Sequence, residues 1–446
     1  MQASEEGGQW WLPESPEPKV PGVLRIDDKG RSQLTLIGEL RDLLHGAERH
    51  DRADGTVEFQ FTESGFDRSS RYLLWVLGRT QSSNYTLEHG LRTRHSTNLI
   101  GGMASETVTF DQVFRGVQFE HGEELAFDRI TVDMQWLTHW VAHTALEETH
   151  NWVNDRLDAV TLRGSGMSSR RVRLGGGLTV YLHHSVGLEG DRITHRGLTQ
   201  RFDFEVRSTS VLPLGILMET PAHLQALVSI GAGRPAGYEG LTLNHPDLTR
   251  GPPTKPRQYR RPIDYLARWS ARDDEVEPPR DHDMPFTLRE LGGLPAVGRW
   301  LSIANRYHHQ LSQVMATRYG GGLVSDCLIN RVAALEGFHK LRNNTALTLK
   351  QRLIECGALA GTPFQSLVTD IATWAQVATR ERNNIGHGSD PGGFEATHTL
   401  LVADGAYWLF VFCLLRDMDA PEAVFDRIVE TPVFRWLKHN LADPLG

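Results

Sequence analysis

"TPFQSLVTDIATWAQVATRERNNIG", residues 362–386, sets its apolar side chains at helical steps. Phe364, Leu367, Ile371, Trp374 and Ala378 recur every three or four residues, which makes one inward stripe. Thr362–Pro363 is a start signal and Gly386 a stop, so one helix is expected between them. Four residues beyond Ala378 the stripe reaches Arg382. Arg382, not Arg380, therefore turns toward the interior, where an unpaired guanidinium is costly.

Outward from this stretch the helical period continues on both sides. "PAVGRWLSIANRYHHQLSQVMATRYG" (295–320) has Pro near its start and Gly at its end. "LVSDCLINRVAALEGFHKLRN" (323–343), "LTLKQRLIECGALAG" (347–361), "EATHTLLVADGAYWLFVFCLLRDMD" (395–419) and "PEAVFDRIVETPVFRWLKHNL" (421–441) follow with short loops. Residues 288–446 thus read as an all-α bundle. The first half is of another kind. "SQLTLIGEL" (32–40), "TVEFQFTE" (56–63) and "RYLLWVLGRT" (71–80) alternate polar with apolar residues, and Gly, Asp, Asn and Ser punctuate them. Residues 1–230 read as a β-rich sandwich or barrel-like domain, with helices at "WLTHWVAHTALEETHNWV" (136–153) and near "PAHLQALVSIGAG" (221–233). Residues 231–287, heavy in Gly, Pro and Arg and then acidic, read as an irregular connecting region. The expected class is α+β.

With 446 residues, 39% of them hydrophobic, the chain has material for two or three cores. Its beginning, "MQASEEGGQWWLPESPEPK", has neither the basic nor the apolar region of a signal peptide, and a cytoplasmic, membrane-free protein is expected. Cys327, Cys356 and Cys413 are widely spaced and odd in number, which suits buried thiols better than zinc or disulfides. The net charge of −8 argues against a broad nucleic-acid surface. Residues 285–446 are balanced, with 15 basic and 15 acidic side chains, so the excess lies in residues 1–284. A polyanion would have to meet a local basic site.

"RERNNIGHG" (380–388) offers such a site. His387 is suited to remove or return a proton near neutral pH. Arg382 offers a planar, permanently charged fork to a phosphate, and Asn383 is placed to orient either group. Together they suit RNA cleavage in which the RNA's own 2′-hydroxyl attacks, with no metal or other cofactor. Spacing alone is weak support, since 41 Arg and 20 His make such pairs by chance. Arg115 with His121, and Arg380 with His387, are two others. The plainer reading is an arginine ion-paired at a helix end beside a capping histidine.

Context adds to the motif. "QWWLPESPEPKVPGVLRID" (9–27), "GRTQSSNYTLEHG" (78–90), "VAALEGFHKLRNN" (332–344) and "RERNNIGHG" stand in the order seen in the ApeA family of bacterial anti-phage defence proteins, which the chain resembles from Trp10 to about Asp417. The resemblance implies a β-rich domain joined to a HEPN-type helical domain, a metal-independent endoribonuclease. Its signature is carried here by Arg382, Asn383 and His387. It also includes Glu336 and His339, three apart on one helix, which either orient Arg382 or brace the bundle. The implied partners are RNA, tRNA among the candidates, a phage-derived trigger, and a second copy of the chain bound through the helical domain. Restraint of the ribonuclease by the β-rich part is the expected control.

Two other readings stay open on the residues. His139, His143, Glu147 and His150, at steps of four, four and three, would share one face of a helix and suit a metal-dependent hydrolase. Alternatively the bundle is a non-catalytic scaffold or sensor for a phage product. The basic stretches "GSGMSSRRVRLGGG" (164–177) and "TKPRQYRRP" (254–262) either hold RNA or solvate loops.

Overall fold

The computed structural model describes residues 3–41, 47–52, 54, 57–61, 72–96, 103–119, 125–191, 193–250, 259–267, 277–320, 322–387 and 396–445. The chain begins with strands β1 (Ser4–Leu12), β2 (Ser15–Ile26), β3 (Ser32–Ile37), β4 (Ala47–Asp51) and β5 (Val57–Phe61). Next come β6 (Tyr72–Thr80), β7 (Asn84–Ser96), β8 (Ser105–Arg115), β9 (Ala126–Met134) and a short helix, α1 (Leu137–Val141). After it run β10 (Leu146–Val153), β11 (Arg156–Gly164), β12 (Arg170–Arg173), β13 (Leu178–Glu189), β14 (Gly197–Pro213) and α2 (Leu214–Ala232). Strands β15 (Tyr238–Asn244), β16 (Thr249–Arg250), β17 (Tyr259–Arg260) and β18 (Ile263–Ala267) lead to the helices. These are α3 (Leu288–Leu291), α4 (Leu294–Arg306), α5 (His308–Tyr319), α6 (Val324–Asn343) and α7 (Leu349–Ala360), then α8 (Thr362–Val368), α9 (Ile371–His387), α10 (Ala396–Asp417), α11 (Glu422–Glu430) and α12 (Pro432–Leu445). The α+β class holds. The chain divides into two units, Met1–Ile130 with Gly240–Ser270, and Thr131–Glu239 with Ala271–Gly446.

In the first unit β8, β3, β2, β1, β6 and β7 are antiparallel neighbours in that order, and β7 pairs back onto β8, so the six strands close into a barrel. Closure leaves none of the six with a free edge. Alternation builds it: in β3, Ser32, Leu34 and Leu36 point in while Gln33, Thr35 and Ile37 point out. Trp10, Leu24, Leu34, Leu73, Leu87 and Phe110 fill the core. Gly78 makes room for Trp10, because a Cβ there would sit 2.1 Å from the indole ring. Trp10 is in turn held by a 3.2 Å bond from its indole N–H to the Gly22 carbonyl. Gly78→Ala should therefore lower unfolding stability by about 1–3 kcal/mol, the usual cost of overpacking. A denaturant midpoint equal to that of the wild type would refute this reading.

The expected irregular region, 231–287, is partly regular. Strands β15 and β18 pair antiparallel, Thr242 with Asp264 and Leu243 with Ile263, and β18 continues onto β8. They are short strands flanked by Gly- and Pro-rich sequence, which hid their alternation.

In the second unit β12, β13 and β14 form an antiparallel run, and α2 follows β14 directly. Helix α2 is buried on nearly all sides. Its His223 carbonyl accepts from the Trp300 indole at 2.8 Å, Arg318 donates to the Gly233 carbonyl at 3.0 Å, and Ser229 and Tyr319 share a 3.0 Å hydroxyl contact. The strands of residues 131–213 and the helices of 288–446 thus belong to one unit. Two of the three points where the contacts divide the chain, after Glu239 and after Ser270, fall inside the expected connecting region 231–287; the third, after Ile130, falls inside the expected β-rich domain 1–230.

The helix expected over residues 136–153 is also corrected. Helix α1 stops at Ala142 (φ +52), and β10 and β11 form a hairpin around Asn154 and Asp155, both at positive φ. That two-residue turn chemistry is a hairpin signal, and it outweighs the step-four histidines. Glu147 and His150, an odd number of residues apart, fall on opposite faces of β10. The shared metal-binding face is therefore not formed.

Helix α10 is central to the bundle and packs against α6, α7, α8, α9 and α12. Among the described residues it is the one helix long and apolar enough to cross a membrane, yet 83% of its apolar window is buried inside the protein. It reads as a core helix. Cys327, Cys356 and Cys413 are free and buried.

Candidate functional site

The helix expected over 362–386 is two helices. Gly361 at φ +70, not Thr362, precedes the first turn of α8, and Pro363 lies within that turn. Thr369 at φ +58 ends α8. Asp370 then starts α9, its carboxylate accepting from the Thr373 N–H at 2.8 Å and the Ala372 N–H at 3.3 Å. The Thr373 hydroxyl bond, with these two, holds the Asp370 carboxyl below its ordinary range. Beyond the break, Trp374, Ala375 and Ala378 carry the buried stripe and α9 packs against α6 and α7.

At the end of α9 Arg382 is half-buried and donates to the Asn383 side-chain oxygen at 3.2 Å, while Asn383 is exposed. Arg380 is exposed and paired with Glu381 at 3.3 Å. His387 is the last residue of α9; its side chain, and residues 388–395, lie outside the described residues. Positions 382 and 387 are five residues apart, so at 3.6 residues per turn they are separated by roughly 140° around the axis. Cations at this end of a helix are favoured by its dipole in any case.

Glu336 and His339 go separate ways. Glu336 pairs with Lys340 one turn on, at 2.6 Å. His339, 2% exposed, is clamped onto α7. Arg352 donates to its Nδ1 at 3.2 Å, so the ring proton lies on Nε2, which donates to Glu355 at 2.7 Å. Asn343 donates to the same Glu355 oxygen at 3.2 Å. Arg352 also donates through Nε to the Leu347 carbonyl and through Nη2 to the Thr345 carbonyl. The bond from His339, first among its causes, holds the Glu355 carboxyl below the usual carboxylate range. The stabilisation from that shift is therefore present above the ordinary carboxylate pKa, and is lost as pH falls through the lower folded value. Among the described residues no hydrogen bond or ion pair joins Arg382 or Asn383 to Glu336 or His339. The cluster braces α6 against α7.

Arg352 was not singled out from the sequence, although the signal was there. It lies in the buried stripe with Leu353, Cys356 and Ala360, the pattern that drew attention to Arg382. Elsewhere, Arg115 is bonded through two nitrogens to Asp264, at 3.0 and 2.8 Å, and its chance partner His121 lies outside the described residues. Of the two basic stretches, Arg170–Arg173 forms strand β12 and Arg260 is bonded to Asp128. His139, His143 and His150 are dispersed over α1, the following loop and β10.

No curated protein and no solved structure matches the chain significantly. The ApeA N-terminal domain 1 family matches residues 5–300, about two thirds of the chain, from the first barrel strand into α4. With that match over most of its length, the chain belongs to the ApeA family of anti-phage defence proteins.

Proposed function

We propose that this protein is an anti-phage effector whose helical part is a HEPN-type, metal-independent endoribonuclease. The observation that carries this reading is the end of α9 in a member of this family: Arg382 drawn half into the bundle, Asn383 bonded to it, and His387 closing the helix. In the proposed reaction the RNA 2′-oxygen attacks the adjacent phosphorus and loses its proton to one His387. The bond from phosphorus to the 5′-oxygen breaks, and that oxygen takes a proton from a second His387. Arg382 neutralises the charge that builds up on the phosphoryl oxygens, and Asn383 holds Arg382 in place. The products are a 2′,3′-cyclic phosphate and a 5′-hydroxyl.

One His387 per chain serves one proton transfer, so the reaction calls for an isologous pair of chains joined through the helical part. The separation of positions 382 and 387 around α9 supports the same conclusion. Host or phage RNA, tRNA included, is the substrate; a phage product is the trigger and the cytoplasm the setting.

The test is purified full-length protein incubated with RNA in EDTA, followed by end-group analysis. Cleavage that persists and leaves cyclic phosphate ends is expected. A strict need for added divalent metal, or a fully active monomer at assay concentration, would overturn the reading.

A further inference from the structure

The second unit contains a cavity of about 240 Å³ that no step of the proposed reaction uses. Its walls are apolar: Leu182 from β13, Phe202 from β14, Leu288 from α3 and Leu294 from α4. Four nitrogen-bearing side chains also line it, Arg170, Arg289, His143 and His184, with the Ser168 hydroxyl, and no carboxylate does. Neither arginine has an ion-pair partner among the described residues.

His184 lies at the cavity wall with its ring 4.8 Å from that of Phe202. Its Nδ1 accepts from the Met167 backbone N–H at 3.2 Å, which places the ring proton on Nε2. That Nε2 is buried and has no hydrogen-bond partner among the described residues.

An apolar cavity with a few convergent polar groups is the usual form of a small-molecule site. The polar side chains here are two arginines, two histidines and the Ser168 hydroxyl, with no carboxylate, so the polar end of the ligand is an anion or a strong acceptor. The volume is below the range of about 300–1,000 Å³ for drug-sized ligands, which limits the apolar part to a ring or a short chain. We propose that this cavity binds a small amphipathic anion, an apolar ring or short aliphatic chain ending in a carboxylate or phosphate. The body packs on Leu182, Phe202 and Leu294 beside the His184 ring, and the acid group meets Arg170 and Arg289. The proposal is independent of the ribonuclease reading. The lining also includes Ala142 and Met167, so a bound ligand contacts the segments that lead into and out of the β10–β11 hairpin.

The experiment titrates the full-length protein with phenylacetate, phenyl phosphate and the neutral phenylacetamide, read by saturation-transfer NMR and calorimetry. One-to-one, saturable binding of at least one anion is expected, with the amide weaker by about tenfold or more. The comparison of carboxylate with phosphate identifies the acid group. Arg170 and Arg289 are exposed, so the Arg170→Ala/Arg289→Ala double variant should fold as the wild type and bind the preferred anion several-fold more weakly. Ser168→Trp, at the lining, should abolish binding by filling the space. Equal affinity for the amide, unchanged affinity in the double variant, or no saturable binding of either anion at millimolar concentration would overturn the proposal.

Discussion

His387→Ala should lower RNA cleavage by about 10²–10⁴-fold, the usual worth of a positioned general acid or base, and leave the thermal transition of the protein nearly unchanged. Arg382→Ala should cost about 10²–10³-fold, as removal of one charge-stabilising donor does. Arg382→Lys keeps the charge but loses the planar fork, so it should recover only part of that loss. The structure explains why stability is expected to survive. Arg382 is half-buried, its hydrogen bond is to its exposed neighbour Asn383, and among the described residues no carboxylate is left unpaired by its removal.

His339→Ala is the contrasting variant. It takes a partner from the buried Arg352 and from Glu355, so it should lower stability, and any loss of activity should track the loss of fold. A variant set in which His339→Ala abolishes cleavage in a fully folded protein, while His387→Ala remains active, would move the chemistry to the α6–α7 cluster. Equal activity of His387→Ala and wild type, with trigger present, would instead favour the scaffold or sensor reading.

How far these sites could be read in advance depended on the range of the interactions that make them. The barrel strands announce themselves because each side chain's fate is decided by its own position: from Gln33 to Leu36 in β3 the in–out order follows the polar–apolar order residue by residue. The buried stripe of α9 is legible for the same reason, and Arg382 was found by continuing it. The break at Thr369 was not legible, because a threonine at φ +58 is chosen by the packing of α8 and α9 and not by its own preference. The His339 clamp was half legible. Both His339 and Arg352 stand on buried stripes, but that they meet depends on how α6 and α7 pair, which no local pattern encodes. The failed metal site has the opposite cause. His139, His143 and Glu147 do repeat at helical steps, yet Thr144, Thr149, Val153 and the Asn154–Asp155 turn favour strands, and the hairpin won.

A fragment beginning at Met284 should fail to fold, and this bears on how restraint of the ribonuclease can be tested. Taken from the sequence, such a fragment is the helical domain freed of its β-rich part, and greater toxicity in cells would reveal restraint. In the structure it lacks α2, whose Leu214, Leu217, Met218, Leu224, Leu227, Val228 and Ile230 are buried within the second unit. At about 1.5–3 kcal/mol for each large apolar side chain, the lost burial comes to about 10–20 kcal/mol. That matches or exceeds the roughly 5–15 kcal/mol by which whole domains are stable. The fragment should show no cooperative thermal transition and should aggregate; a folded, dimeric fragment would refute this account of α2. Harmlessness of such a fragment therefore says nothing about restraint. Nor can the first unit be trimmed from one end, since it is built from residues 1–130 and 240–270. The charge argument changes as well. Residues 271–284 alone hold six acidic and two basic side chains, half of the net −8, and they lie in the sequence beyond the β-rich residues 1–230. If acidic charge keeps RNA from the cleft, neutralising Asp273, Asp274, Glu275 and Glu277 to Asn or Gln in the full chain should raise cleavage without trigger at low salt, and the gain should fade as salt screens it. Unchanged basal cleavage at low salt would leave the trigger acting by conformation rather than by charge.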